Sequence, residues 1–86
     1  MMAKKNEIAA DFPASAKIKT PEALGALLRE YRQEKNMTQL DIAGLANTGN
    51  RFIGELEKGK PTVQLHLVLK ILDLLGLEVV IQRKGN

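Results

Sequence analysis

The sequence predicts a mainly α fold: a bundle of four to five helices, followed by one C-terminal β-strand that pairs across a dimer. Three observations lead there. Apolar residues recur at helical spacing in blocks between Pro21 and Leu75. Residues that start or stop helices bracket those blocks. After Gly76 the period changes to two, over LEVVIQRK at 77–84.

A chain of 86 residues has room for one small domain. Hydrophobic residues make up 44% and aromatic residues 3%, so the core must be built from Leu, Ile, Val and Ala. Such a core contributes only a few kcal/mol of net stability, and dimerisation would add to it.

Residues 1–19 are expected to be a flexible N-terminal tail, with mixed charge, a proline at 13 and little periodicity. Thr20-Pro21 opens the first helix, because Thr accepts from free backbone N–H groups and Pro is pre-set for the first helical position. Leu24, Leu27, Leu28 and Tyr31 give the spacing i, i+3, i+4, i+7. Lys35-Asn36 ends the run, a cation followed by a residue that tolerates the left-handed cap.

Thr38 opens the second helix, and Thr38 with Asp41 has the spacing of a capping box. Ile42, Leu45 and Ala46 are read as one face, with Ala43 beside it. Asn47-Thr48-Gly49 forms a tight turn. The third helix spans about 50–57, with Ile53 and Leu56 inward and Asn50, Arg51, Gly54 and Glu55 outward. Gly59-Lys60-Pro61 stops it.

Thr62 is read as the cap of a fourth helix running to about Leu75. One side carries Leu65, Val68, Leu69, Leu72 and Leu75; another carries Leu67, Ile71 and Leu74. A helix apolar on two sides is buried on two sides, so one side needs a partner. Residues 20–76 thus form the expected domain, and 77–86 a dimerisation strand and tail. In that strand Leu77, Val79 and Ile81 alternate with polar residues, and Val80 is the exception. A lone strand leaves its backbone unpaired. Antiparallel pairing with a second copy about a two-fold axis is favoured over pairing with the segment around Ile18.

Gross charge does not identify a partner. The net charge is +3, but residues 20–60 carry six basic and six acidic residues. No cysteine is present, which excludes disulfides and thiolate chemistry and is compatible with a cytoplasmic protein. No apolar run long enough to span a membrane occurs, and MMAKKNEIAADF lacks the apolar segment of a secretory signal. His66 stands without a metal-binding or triad pattern, and the glycines form no phosphate loop, so no enzyme, metal or cofactor is expected.

Placement of individual residues says more. The stretch TQLDIAGLANTGNRFIGELEKGK, residues 38–60, reads as two short helices joined by a tight turn. DNA recognition by such a pair needs the second helix in the major groove and the first across the backbone. Thr38 and Gln39 sit at a helix N-terminus, which offers N–H groups to phosphate. Asn50 and Arg51 occupy the first turn of the reading helix, where Asn suits adenine and Arg suits guanine. Phe52 is placed to meet a thymine methyl, Glu55 to accept from cytosine or orient Arg51, and Lys58 and Lys60 to neutralise phosphates. Each also has a plainer reading: Arg51 and Glu55 as a surface ion pair, Phe52 as core, the lysines as solvated loop charges. Together, on one surface, they favour DNA.

The same stretch resembles the Cro/repressor (XRE) helix-turn-helix family in Thr38-Gln39, Ala43, Ile53, Glu57 and Gly59. The resemblance extends without insertion from Lys19 to Lys84. The run from KIKTP through TQ, and then VLKILDLLGLEVVI, is similar to HipB-type antitoxins. The resemblance implies a lambda-repressor-like bundle and a homodimer closed by the C-terminal residues Leu77, Val79, Val80 and Ile81. It implies binding to palindromic double-stranded DNA operators of its own operon, and neutralisation of a HipA-like Ser/Thr kinase toxin. It also implies an ion pair between the first helix and the end of the third, here Arg32 with Glu57. The chain departs from the family at Asn47, where Gly is usual, and at Gly49, where Ser or Thr is usual. Leu40 and Phe52 replace residues that are commonly polar or small. Two other readings are a partner-neutralising module with secondary DNA binding, and a repressor unconnected to a toxin.

Overall fold

The computed structural model describes residues 13–85. Residues 1–12, the larger part of the expected tail, and Asn86 lie outside them. Four helices follow in order: α1 Pro21–Glu34, α2 Gln39–Ala46, α3 Asn50–Lys58 and α4 Leu65–Leu74. Among the described residues there is no strand, and residues 77–85 run on without regular structure. The pairing expected of 77–84 is between copies. No helix among the described residues is long and apolar enough to cross a membrane.

The helix starts follow local chemistry. Thr20 is extended, and its Oγ1 accepts from the Ala23 N–H at 3.0 Å, with Pro21 as the first helical residue. Thr38 and Asp41 form a reciprocal capping box: Thr38 Oγ1 accepts from Asp41 N–H at 3.0 Å, and Thr38 N–H donates to Asp41 Oδ2 at 2.8 Å. Gly49 precedes α3 and offers no side-chain cap. Thr62 does not cap α4. Pro61 and Thr62 lie in a turn, Val63 packs on the core, and the helix begins only after Gln64, which makes no side-chain cap. Seating Val63 uses the residues that an earlier helix start would have needed.

The helix ends share one device. Asn36, Asn47, Gly59 and Gly76 take positive φ of 58°, 58°, 85° and 80°. Each time the next residue's N–H returns to a carbonyl five residues back: Met37 to Arg32, Thr48 to Ala43, Lys60 to Glu55 and Leu77 to Leu72. These Schellman turns satisfy the last carbonyls and bend the chain sharply. Lys35 sits 5.0 Å above the Tyr31 ring and adds a cation–π contact at the end of α1.

The core is aliphatic, as the composition requires. Leu28, Ile42, Ala43, Ala46, Ile53, Leu56, Val68, Ile71, Leu72 and Leu75 are buried together. Leu24, Tyr31, Met37, Phe52, Val63 and Leu77 pack around them. α3 lies between α1 and α2, and α2 also packs on α4. Two face assignments are corrected. On α2 the buried arc is Ile42, Ala43 and Ala46, because small Ala43 faces inward; Leu45 falls outside it and is 57% exposed. On α4 the inner face is Val68, Ile71, Leu72 and Leu75, at helical spacing, and Leu65, Leu69 and Leu74 are exposed. Ile71 therefore joins the core face, and Leu65 and Leu69 leave it.

Candidate DNA-binding surface

One polar cluster joins the first three helices. Arg32, near the end of α1, reaches Glu57, near the end of α3. Its Nε donates to Oε2 at 2.6 Å and its Nη2 to Oε1 at 2.9 Å. Its Nη1 donates to the Met37 carbonyl at 2.8 Å, just before α2. Gln39, the first residue of α2, donates from Nε2 to Glu57 Oε1 at 3.0 Å. One guanidinium and one carboxylate thus tie three helices. The side chains of Arg32 and Glu57 are only 10% and 5% exposed. Burial alone would push the Glu57 carboxyl up. Hydrogen bonds from Arg32 and Gln39, with the charges of Arg32 and Arg29, outweigh burial and hold it below the usual carboxylate range. The bond to Glu57 likewise raises Arg32 against the opposing effect of burial. Charge-assisted, two-pronged bonds of this kind fix geometry as well as energy.

Two glycines let the backbones of α1 and the end of α3 approach closely. A Cβ on Gly25 would lie 2.6 Å from the carbonyl oxygen of Glu57 and collide also with that of Leu56. A Cβ on Gly59 would lie 2.6 Å from Glu22 Cα, and Gly59 also carries the positive φ that ends α3. Gly25 was missed from the sequence. Its one signal was a glycine inside PEALGALLREY, an otherwise good helix-forming run, which marks a close approach.

The outer side of α3 carries the candidate reading residues. Asn50 and Arg51 are exposed in its first turn. Phe52, beside them, is half-buried and packs against the core. Gly54 is half-buried, with the Gln39 amide lying over it, so Gln39 spans α2 and α3 instead of standing free. Glu55 accepts from Arg51 Nε on Oε2 at 3.1 Å, and Lys60 Nζ lies 3.4 Å from Oε1. Desolvation pushes the Glu55 carboxyl up, but the bonds and charges of Lys60 and Arg51 bring it below its ordinary value. Lys58 is exposed at the end of the helix.

At the N-terminus of α2 the capping box consumes the N–H groups of Thr38 and Asp41. Gln39 and Leu40 keep first-turn N–H groups that have no intrahelical acceptor, the pair available to a phosphate. His66 is exposed on α4, and no group of three His, Cys, Asp or Glu residues suited to a metal exists among the described residues.

This arrangement has counterparts. A family described as a helix-turn-helix domain matches residues 23–81. The chain is 48% identical over 70 residues to the uncharacterised HTH-type transcriptional regulator y4mF of Sinorhizobium fredii, covering 81% of this chain and 92% of that one. The clp gene regulator ClgR of C. glutamicum superposes with a TM-score of 0.64 at 31% identity, over 76% of this chain and 83% of that one. A chain of a HipA-HipB-O2-O3 complex and one of a HipB-O4 20mer complex each superpose with a TM-score of 0.76, over 83% of this chain and 100% of theirs. At 24% identity those two establish a shared fold. The spacing of the α2–α3 pair, the shared fold and the extent of the match agree, and the chain belongs to the family of helix-turn-helix transcriptional regulators.

Proposed function

We propose that this regulator is a dimeric repressor that binds a palindromic operator of its own operon and acts as the antitoxin of a HipA-like Ser/Thr kinase. The observation that carries the DNA part is the clamp of Arg32, Glu57 and Gln39 beneath α3. It ties α3 to the start of α2, with Asn50 and Arg51 exposed on α3 and Gln39 and Leu40 offering N–H groups at the start of α2. In this reading α3 enters the major groove. Asn50 and Arg51 read base edges, and Phe52 meets a thymine methyl with its uncovered edge. Glu55 orients Arg51, the start of α2 at Thr38 and Gln39 meets phosphate, and Lys58 and Lys60 neutralise further phosphates.

Dimerisation draws support from the apolar residues that the single chain leaves uncovered: Leu65, Leu69 and Leu74 on α4, then Val79, Val80 and Ile81. Pairing residues 77–84 of two copies would bury the latter and set two copies of α3 about 34 Å apart, one turn of DNA. The kinase partner is supported by the likeness to HipB of a HipA-HipB complex and by VLKILDLLGLEVVI in the sequence. The setting is the cytoplasm.

A second reading, neutralisation of a protein partner with DNA binding secondary, draws on the charge balance of residues 20–60. One experiment separates the two. The full chain is tested by mobility shift on the palindromic region upstream of its gene, and by co-purification with any kinase-like product encoded next to it. A salt-sensitive shift with kinase capture is expected. Capture without a shift would establish the second reading, and a shift without capture would leave a repressor unconnected to a toxin.

A further inference from the structure

We infer that Glu55 is a positioning residue that sets DNA specificity: in the free protein its carboxylate holds Arg51 on one oxygen and Lys60 on the other, and withholds both cations from indiscriminate phosphate binding. The inference rests on the reading of α3 as the helix that enters the groove.

The geometry is built, not incidental. Lys60 lies beyond the end of α3, and its place is fixed by the turn at Gly59. There the Lys60 N–H donates to the Glu55 carbonyl at 3.0 Å. Glu55 therefore receives the Lys60 backbone on its carbonyl, and its carboxylate sits 3.4 Å from the Lys60 ammonium. Four residues back, Arg51 reaches the second carboxylate oxygen. One side chain thus links the first turn of α3 to the residue past its end.

The bond to Arg51 is made through Nε. A guanine takes two guanidinium N–H groups, on O6 and N7. Fixing Nε orients the guanidinium plane and leaves the terminal amino groups out of the bond to Glu55, on a side chain that is 89% exposed. The same bond holds down charge. Non-specific affinity grows with each phosphate neutralised, and log K falls by about 0.9 per decade of salt for each such contact. Two cations facing DNA without Glu55 would grip any backbone. With Glu55 between them, they carry a net charge of one, and a phosphate must compete with a carboxylate for Lys60. A correct site compensates, because Arg51 can keep its bond to Glu55 while it meets the base.

As a solvated surface network the triad adds little to stability, so Glu55→Gln should fold normally. The test compares wild-type protein with Glu55→Gln, full chain in both. The probes are a duplex selected by the wild type from a random library and a mixed-sequence duplex, each titrated over a series of salt concentrations. Glu55→Gln is expected to bind the mixed-sequence duplex several-fold tighter at low salt. Its salt dependence should steepen by about one unit of slope, and the ratio of selected to mixed affinity should fall. Adding Lys60→Gln should return the slope towards that of the wild type. An unchanged slope and ratio would overturn the inference. So would loss of affinity for the selected duplex with no gain on mixed sequence, the mark of a direct base contact by Glu55. A wild type with no salt-sensitive affinity for either duplex refutes the DNA reading itself, and this inference with it. That outcome is distinct from a variant that merely matches the wild type.

Discussion

Gly25 lies directly against the Glu57 backbone: a methyl group placed on it would sit 2.6 Å from the Glu57 carbonyl oxygen and 2.8 Å from the carbonyl carbon. Arg32 stands seven residues further along α1 and grips the carboxylate of the same Glu57. One face of α1 therefore holds both the main chain and the side chain of one residue, and these contacts position α3. Gly25→Ala gains up to about 1 kcal/mol of helix propensity. The overpacking outweighs this, and a net loss of about 1–3 kcal/mol is expected, read as a lower urea midpoint. A variant as stable as the wild type would contradict the close approach of α1 and α3.

Glu57→Ala removes the acceptor of Arg32 Nε and Nη2 and of Gln39 Nε2, and leaves Arg32 only the Met37 carbonyl. The expected cost is about 3 kcal/mol, at the lower end for breaking a buried ion pair because the cluster is part-buried. Arg32→Lys should not preserve stability, since an ammonium cannot bond both carboxylate oxygens and the Met37 carbonyl with the geometry of a guanidinium. The double variant Arg32→Met, Glu57→Met should recover much of the loss, because neither charge is then left unpaired. Urea denaturation of the wild type, Arg32→Met, Glu57→Met and the double variant gives the coupling directly. Additive losses would mean that the pair does not act as a unit.

The same carboxylate predicts the response to acid. Glu57 is held below its ordinary value in the folded chain, so folding favours its ionised form. The stability it contributes is complete above the unfolded carboxylate range, near pH 4, and is lost as pH falls through the lower folded value. The urea midpoint should therefore hold between about pH 7 and 5 and decline below about pH 4. Glu57→Gln should flatten that decline at the cost of lower stability near neutrality. A wild-type acid limb identical to that of the variant would remove Glu57 as its cause.

Most helix positions could be read locally. Thr20-Pro21, the Thr38–Asp41 box and the Asn36 and Asn47 turns are each written within a few residues, and each forms. What sequence pattern handled poorly was the choice between faces. Leu45 and Ala43 are both apolar, and only the approach of neighbouring helices decides that the smaller residue goes inside. On α4, leucines at half of the ten positions, on every side, blur the stripe, so Ile71 could not be separated from Leu69 by periodicity alone. The Arg32–Glu57 contact spans 25 residues of sequence, beyond the reach of any local pattern, and family resemblance was its only signal. Phe52 carried two readings from the start. Its packing against the core accounts for part of the ring, and DNA would meet the remainder.

On DNA, Arg51 and Lys58 should separate in kind. Arg51→Ala removes a base contact and should weaken the preferred duplex by about 1–3 kcal/mol, relaxing discrimination at one base pair. Lys58→Ala removes only a phosphate contact and should weaken all duplexes alike, lowering the salt slope by about one. Both side chains are exposed, so folding should be unaffected. Fluorescence anisotropy on selected and mixed-sequence duplexes distinguishes the patterns. A uniform loss from Arg51→Ala would move that residue from reading bases to holding the backbone.

The C-terminal segment yields the sharpest test of assembly. Truncation after Gly76 is a poor probe, because Leu77 packs on the core and its N–H closes the turn that ends α4, at 2.8 Å from the Leu72 carbonyl. Losing it would damage the monomer itself. Ile81 is 91% exposed in the single chain, so a charge there costs the monomer almost nothing. If residues 77–84 pair between copies, Ile81→Glu places two like charges at a two-fold interface and removes its apolar contacts. Light scattering at micromolar concentration should then report a monomer whose helical circular dichroism matches that of the wild type. Affinity for a two-half-site duplex should collapse, while binding to a single half-site stays as it was. Persistence of a dimer in Ile81→Glu would rule out pairing through this segment and shift attention to Leu65, Leu69 and Leu74 on α4 as the surface that joins two copies.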